Sequence, residues 1–388
     1  MKIFTPKRVL ASLVIAGMTL SMAPLNAFAD NGITTARLFG ANRIGTSVAV
    51  ANAGWTTADM AILAPSDDAD LVDALLAAPL AGKTAPILLT DNNTLTADTA
   101  TELVKLGVRN VYVVGAINQT VVDQVNAING VTATVLSGVD SITVATAIAA
   151  KLTNPTGSFV VGHSALADAL SVASYAAANN YSILLASPDG TLPASETAYK
   201  GATTYIIGGP TLVDDIPGAT RIFGADRFAT NQAVLNALTY TYDHVYVANG
   251  TDAHLVDSLV ASSLAGMSSA PIVLTDTNGV AAATDVHAKL TANATVTALG
   301  GTAVVTDADV SQVTSGLSAI MPEASAPTEQ PPTPPSSVDP STDDNTIVYI
   351  TKTGTKYHTA GSKYLTKSCI PITLGEAKKR GYTKSADD

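Results

Sequence analysis

The sequence predicts an α/β protein made of three tandem Rossmann-like subdomains with parallel sheets, followed by a small C-terminal α+β module. Three observations lead there. One motif occurs three times, as Arg37-Leu-Phe39-Gly40-Ala-Asn42-Arg43, Val135-Leu-Ser137-Gly138-Val-Asp140-Ser141 and Arg221-Ile-Phe223-Gly224-Ala-Asp226-Arg227. Short Val/Ile/Leu runs without alternation follow each copy, the pattern of strands buried on both faces. Stretches of helical length lie between them, and strand and helix alternating at this rhythm build βαβ units.

The stations keep their register. Gly40 to Asp73 and Gly224 to Asp257 both span 33 residues, and Gly138 to Asp168 spans 30. In the first copy the apolar strand-like runs are Ala61–Ala64, Ala85–Thr90 and Val111–Ala116. Thr96–Leu106 and Val121–Ile128 read as helices. The third copy repeats this with Val245–Ala248, Ala270–Thr275 and Val296–Gly301. The second does so with Phe159–Gly162, Tyr181–Ala186 and Tyr205–Gly209. A repeat of this kind sets the architecture before any residue is assigned a role. The copies are bounded at 30–134, 135–219 and 220–320.

The ends read differently. Residues 1–29 carry a basic start (Lys2, Lys7, Arg8), an apolar run and the small-x-small site Ala27-Phe28-Ala29. That is a secretory signal peptide, too short in its apolar part to span a membrane. Residues 321–346 are dense in Pro, Ser, Thr and Asp and read as a disordered spacer. Residues 347–388 form a basic module that holds eight of the 21 Lys and Arg. A cationic end suits contact with an anionic wall or membrane surface; the other reading is a solubilising surface.

Composition narrows function. The chain has 388 residues, 47% hydrophobic and 14% charged, ample for several cores. Its one cysteine, Cys369, forms no internal disulfide. The net charge of −11 becomes more negative once the signal is removed, which argues against a broad nucleic-acid surface.

Comparing copies weighs each candidate site. Of the acidic run Asp67-Asp68-Ala-Asp70-Leu-Val-Asp73, only the last residue recurs, as Asp168 and Asp257. A carboxylate in a helix's first turn has a structural reason to recur, and the oxygen spacing of a calcium site is absent. Arg43 and Arg227 share a station that Ser141 fills in copy two. Two readings exist: bidentate capture of phosphate or carboxylate, or a pair with the recurring Asp of the same copy. The second is adopted. Arg37 and Arg221 are left as candidates for a polymer ligand or an inter-copy contact. Gly115-Ala116, Gly208-Gly209 and Gly300-Gly301 lack the full dinucleotide fingerprint and read as tight turns. The five histidines (163, 244, 254, 287, 358) do not recur, and no nucleophile motif is present. No catalytic residue and no cofactor is assigned.

The run R-x-x-G-x-x-R-x-x-T, then Asp73-Ala74-Leu75, then Pro86-Ile87-Leu88-Leu89-Thr90, then a strand ending in paired small residues, resembles the cell wall-binding repeat 2 family of Gram-positive bacteria. The resemblance covers about residues 34–320. It implies a pseudo-threefold ring of three units and non-covalent attachment of a secreted protein to an anionic, teichoic-acid-like wall polymer, without catalysis. A wall-glycan hydrolase or transferase with an unrecognised site, or a structural surface-layer component, are the alternatives. Copy two departs at Val135, Ser141 and Tyr181-Ser182. If the arginines hold the subdomains together, it is expected to be the least stable copy. The tail resembles a short metal-binding module of which only His358 is retained; Ser362, Ser385 and Asp388 stand at the cysteine stations, so no metal is expected.

Overall fold

A computed structural model describes residues 32–67, 71–317, 347–350, 356–358, 370–380 and 382–385. The signal peptide, the spacer, Cys369, Ser362, Asp388, Asp68 and Asp70 lie outside the described residues. The chain divides into two compact units, Met1–Met321 and Pro322–Asp388, each taken by itself.

The first unit opens with β1 (Thr34–Leu38) and α1 (Arg43–Gly54). Then come β2 (Met60–Pro65), α2 (Leu71–Leu76), α3 (Ala78–Ala81), β3 (Ile87–Thr90), α4 (Ala97–Leu106), β4 (Asn110–Val114), α5 (Gln119–Asn126) and β5 (Thr132–Leu136). The middle stretch holds α6 (Ser141–Ala149), β6 (Gly157–Val161), α7 (Leu166–Asn179), β7 (Tyr181–Leu185), α8 (Ala194–Thr197), β8 (Thr203–Ile207) and β9 (Thr220–Ile222). The last holds α9 (Arg227–Ala237), β10 (His244–Asn249), α10 (Leu255–Val260), α11 (Ser262–Met267), β11 (Ile272–Thr275), α12 (Ala283–His287), β12 (Thr295–Leu299) and α13 (Asp307–Ser315).

Three four-stranded parallel sheets result, in the orders β3-β2-β4-β5, β7-β6-β8-β9 and β11-β10-β12-β1. Each defines a lobe, and the lobes are offset from the sequence repeats. The strand that opens each repeat completes the sheet of the preceding one. Thus β5 pairs with β4, β9 with β8, and β1 pairs with β12 across the whole length of the unit, Thr34 opposite Thr295 through Leu38 opposite Leu299. The fourth strand of lobe three is therefore the first strand of the chain, and the ring is closed by that pairing.

The opening helices straddle the same joints. Each lies on the edge strand of its own lobe (α1 on β3, α6 on β7, α9 on β11) and against the central helix of the preceding lobe (α10, α2 and α7). The central helices α2, α7 and α10 touch one another pairwise, which is the pseudo-threefold arrangement. Their inward residues, including Ala74, Leu75, Leu76, Ala169, Leu170, Leu255 and Leu259, are buried in one core shared by all three lobes. The Val/Ile/Leu runs read from sequence are the buried strand centres, as in Ile62-Leu63-Ala64 and Ile272-Val273-Leu274.

An edge strand exposes backbone donors, and each lobe caps one of them with a side chain. The Leu274 amide donates to Asn231 Oδ1 at 3.0 Å while Asn231 Nδ2 donates to the Ile272 carbonyl at 3.0 Å, so the amide group imitates a neighbouring strand. In lobe one the Leu89 amide donates to Ser47 Oγ at 3.1 Å. The equivalent residue of copy two is Ala145, which has no polar atom to offer. There Glu196 reaches in from α8, takes the Leu185 amide at 3.4 Å and accepts from the Thr146 hydroxyl. Lobe two also replaces the Ala-Pro of its neighbours with Tyr181. Its ring lies over Gly157, where any Cβ would clash, and 5.1 Å from Phe159. Copy two, expected from its losses to be the weakest, is thus repacked with its own aromatic cluster.

Glu196 sets a pH dependence. It is fully buried, and burial pushes its pKa up to about 7 from 4.5; burial likewise pushes Asp168 up to about 6 from 3.8. A carboxyl raised in the fold is protonated there at pH values where the unfolded chain has ionised it, so stability falls as pH rises through that window. Ionising Glu196 in place costs roughly 3 kcal/mol. The melting temperature should therefore fall between pH 5 and pH 8, and less steeply in Glu196→Gln, whose amide keeps an acceptor. A flat wild-type profile over that range would contradict the assignment.

In the second unit β13 (Ile347–Ile350) pairs antiparallel with β14 (Lys356–His358) and β15 (Ile370–Thr373), and β14 pairs parallel with β16 (Thr383–Lys384). Helix α14 (Leu374–Lys379) packs on this mixed sheet through Leu374 and Ala377, against Val348. His358 is buried.

Candidate functional site: the joints between lobes

The repeated motif residues gather at the carboxyl ends of the strands, where parallel α/β sheets bind ligands at the point of strand-order reversal. In each lobe that point lies between its first and third strands in sequence, β2 and β4, β6 and β8, β10 and β12. The turn after the third strand is Gly115, Gly208 or Gly300, all with positive φ (75°, 114° and 97°). A Cβ there would meet Asp73, Asp168 or Asp257 of the same copy at 3.1, 2.8 or 2.7 Å. Each recurring Asp is buried and lies against the crevice turn of its own lobe. The glycine is required twice over, by conformation and by this approach.

The Asp is also read across the joint. Burial raises the Asp257 pKa, and the Thr46 hydroxyl, His254 and Arg43 pull it back. Burial raises Asp168, and Arg227 with Thr230 pull it back. Arg43 and Thr46 belong to copy one and Asp257 to copy three; Arg227 and Thr230 belong to copy three and Asp168 to copy two. The recurring Asp within electrostatic reach of each Arg is thus that of the preceding copy. The chain runs its opening helix over the preceding lobe, and that brings the Arg there. Towards its own copy each Arg holds a strand-end carbonyl, Ser66 for Arg43 at 2.6 Å and Gly250 for Arg227 at 2.9 Å, and Arg227 also pairs with Asp252. At the joint between copies one and two, Ser141 and Val144 replace the Arg and Thr, so neither contact is available to Asp73 from those positions.

Arg37 and Arg221 occupy the inter-copy position rather than an open one. Arg37 is buried, and its guanidinium donates to the carbonyls of Gly300 (2.9 Å) and Val305 (2.8 Å) and to Asp307 Oδ1 (2.8 Å). Arg221 repeats this with Gly208 (2.9 Å), Val213 (2.8 Å) and Asp215 Oδ1 (2.8 Å). Copy two has Val135 at this station, and there the Gly115 carbonyl accepts from the Ile117 amide at 3.0 Å instead. These fork-shaped contacts explain why Arg and not Lys stands there. The signal that could have shown this is the coincidence of Arg with its own loop acids, Asp215 and Asp307, which the sequence places close to each glycine turn.

Each opening turn is built alike. Asn42, Asp140 and Asp226 cap α1, α6 and α9 by accepting from Gly45 N (2.9 Å), Thr143 N (2.8 Å) and Ala229 N (2.8 Å). Among the described residues no group of three or more His, Cys, Asp or Glu is gathered to hold a metal ion. No helix among them is long and apolar enough to cross a membrane.

A closed ring of three lobes, with each recurring Asp set against the crevice turn of its own copy, defines a tandem-repeat scaffold whose recurring residues serve its joints. Residues 37–125, 135–216 and 221–310 each match the sequence profile of the cell wall binding domain 2 (CWB2) family. The chain belongs to that family. The match ends before the tail, so the tail's resemblance to a metal-binding module has no support. Over 262 residues the chain is 29% identical to the N-acetylmuramoyl-L-alanine amidase LytC of Bacillus subtilis (strain 168), covering 64% of this chain and 51% of that protein. It is 28% identical over 274 residues to the amidase enhancer of the same organism, covering 68% and 38%. Among solved structures it is similar to Cwp8 from Clostridium difficile (TM-score 0.65, 26% identity, 74% of this chain and 51% of that one). Cwp6 from Clostridium difficile is similar too (TM-score 0.64, 25% identity, 77% and 50%). The chain thus spans about half or less of each relative's length.

Proposed function

We infer that this chain is a secreted, non-catalytic protein that attaches without a covalent bond to an anionic polymer of the cell wall, of the teichoic-acid kind. The observation that carries this reading is the family membership of all three repeats, joined to a geometry in which the recurring Arg, Asp and Gly serve the joints. Arg43, Asp73, Asp168, Arg227 and Asp257 then have a structural role. Arg37 and Arg221, once candidates for polymer contact, are assigned to the same role, because their donors already meet interior acceptors. Three similar lobes on a repeating polymer add weak contacts into avidity. The amidase named among the relatives supports a second reading, wall-glycan hydrolysis.

Purified Bacillus subtilis walls, before and after extraction of anionic polymer, separate these. The signal-free protein should co-sediment with intact walls and lose most of that retention after extraction. Equal retention on extracted walls would remove the anionic polymer from the reading. Release of soluble wall fragments would establish the hydrolase instead.

A further inference from the structure

The four arginines of the opening motifs are all engaged with acceptors of the protein itself, Arg37, Arg221 and Arg227 with the acids Asp307, Asp215 and Asp252, and Arg43 with the Ser66 carbonyl. The motif region therefore offers a polymer little uncommitted positive charge. What it does offer, twice, is an aromatic ring. Phe39 and Phe223 stand at the same station, directly after β1 and β9, and are 40% and 49% exposed. Single exposed apolar residues are ordinary. These two differ in recurring at equivalent places on the carboxyl rims of lobes three and two. Each rim has a glycine where a side chain would otherwise stand. A Cβ on Gly209 would lie 3.9 Å from the Phe223 ring and 4.0 Å from the Thr211 hydroxyl, and one on Gly301 would meet nothing within 4 Å. Gly209 thus sets no side chain against the Phe223 ring, and the Thr211 hydroxyl lies near the same glycine. Lobe one has Ser137 and Ala116 instead and lacks the feature.

We propose that Phe39 and Phe223 are two stacking sites for pyranose rings of a wall polysaccharide, contacting the neutral C–H face of the sugar. This rests on the wall-binding reading and names the chemistry of the contact. The area favours a sugar. A phenyl side chain carries roughly 200 Å², so each site exposes about 100 Å² or less. That is far below the roughly 800 Å² per partner that a stable protein interface buries. One sugar ring is matched by one phenyl ring. Two rings on two lobes bind a chain of sugars better than either alone.

The test compares the wild-type chain with F39S/F223S, which installs at both stations the residue that lobe one already uses, and with F39W/F223W, which enlarges the aromatic face. Retention on Bacillus subtilis walls is read at high salt, where surface charge contacts are screened. The serine pair should lose roughly tenfold or more in retention, the scale of removing aromatic anchors, at an unchanged melting temperature, and the tryptophan pair should hold or gain. Equal retention by wild type and the serine pair overturns the stacking sites while leaving wall binding in place. A serine pair that melts early together with a tryptophan pair that also fails to bind overturns them as well. So does a wild-type dimer that the serine pair abolishes, since the occupant is then a second copy. A wild type that ignores walls at any salt overturns the wall reading itself.

Discussion

Removing residues 1–38 should leave a chain that can no longer close its ring. Strand β1 supplies all five pairs along the β12 edge, and with it goes Arg37, so lobe three loses both its fourth strand and the interior donor that binds its crevice turn. Of the roughly 5–15 kcal/mol by which a native domain is stable, such a loss removes a large fraction. Denaturant unfolding should split into an early transition for lobe three and a later one for the rest. The bare β12 edge should also promote self-association. A synthetic peptide covering residues 32–41 should bind and reverse both effects, as added strands do elsewhere. A circular permutant should move the seam. In lobe one, α5 joins β5 through residues 127–131; a linker of similar length from α13 to β1 would make the same connection in lobe three. With new ends between Asn129 and Gly130, the permutant should fold to the same spectrum with its open seam in lobe one. A truncated chain that unfolds at the wild-type denaturant concentration would refute the closure.

Arg37→Ala should destabilise by about 2–4 kcal/mol, because it strands two carbonyls whose partner was a buried charged donor. Arg221→Ala should cost somewhat less, since its side chain is 13% exposed against 7% for Arg37. The reverse change in copy two, Val135→Arg, should gain nothing: the Gly115 carbonyl is already taken by the Ile117 amide. Chemical denaturation of the three variants checks the order. If Arg37→Ala weakened wall retention while leaving the unfolding midpoint untouched, Arg37 would be a polymer contact after all.

The fold class was legible because burial writes itself into composition. Ile62-Leu63-Ala64 and Val245–Ala248 are apolar on both faces only because helices cover both sides of the sheet, and that alone excludes an open antiparallel design. Asp73, Asp168 and Asp257 were legible as first-turn residues for the same local reason. The offset of lobe from repeat was not legible. A strand's sequence records that it is buried, not which neighbour buries it, so β1 reads the same whether it pairs with β2 or with β12. The same limit applies to Arg43 and Arg227, which lie within electrostatic reach of the recurring Asp one copy back. The compensation at Glu196 was hidden for another reason. Its meaning depends on Ala145 facing a backbone amide of β7, a fact held by three-dimensional contact and by no spacing in the chain.

The seam between β1 and β12 has a mechanical meaning. The strands are parallel, and the chain enters the first from its N-terminal end and leaves the second toward its C-terminal end. Tension applied between the two ends of this unit pulls them past each other along their length, so the pairs from Thr34 to Leu38 resist together in shear instead of opening one by one like a zip. A ring closed in this way is hardest to open along the direction in which a tethered protein is pulled.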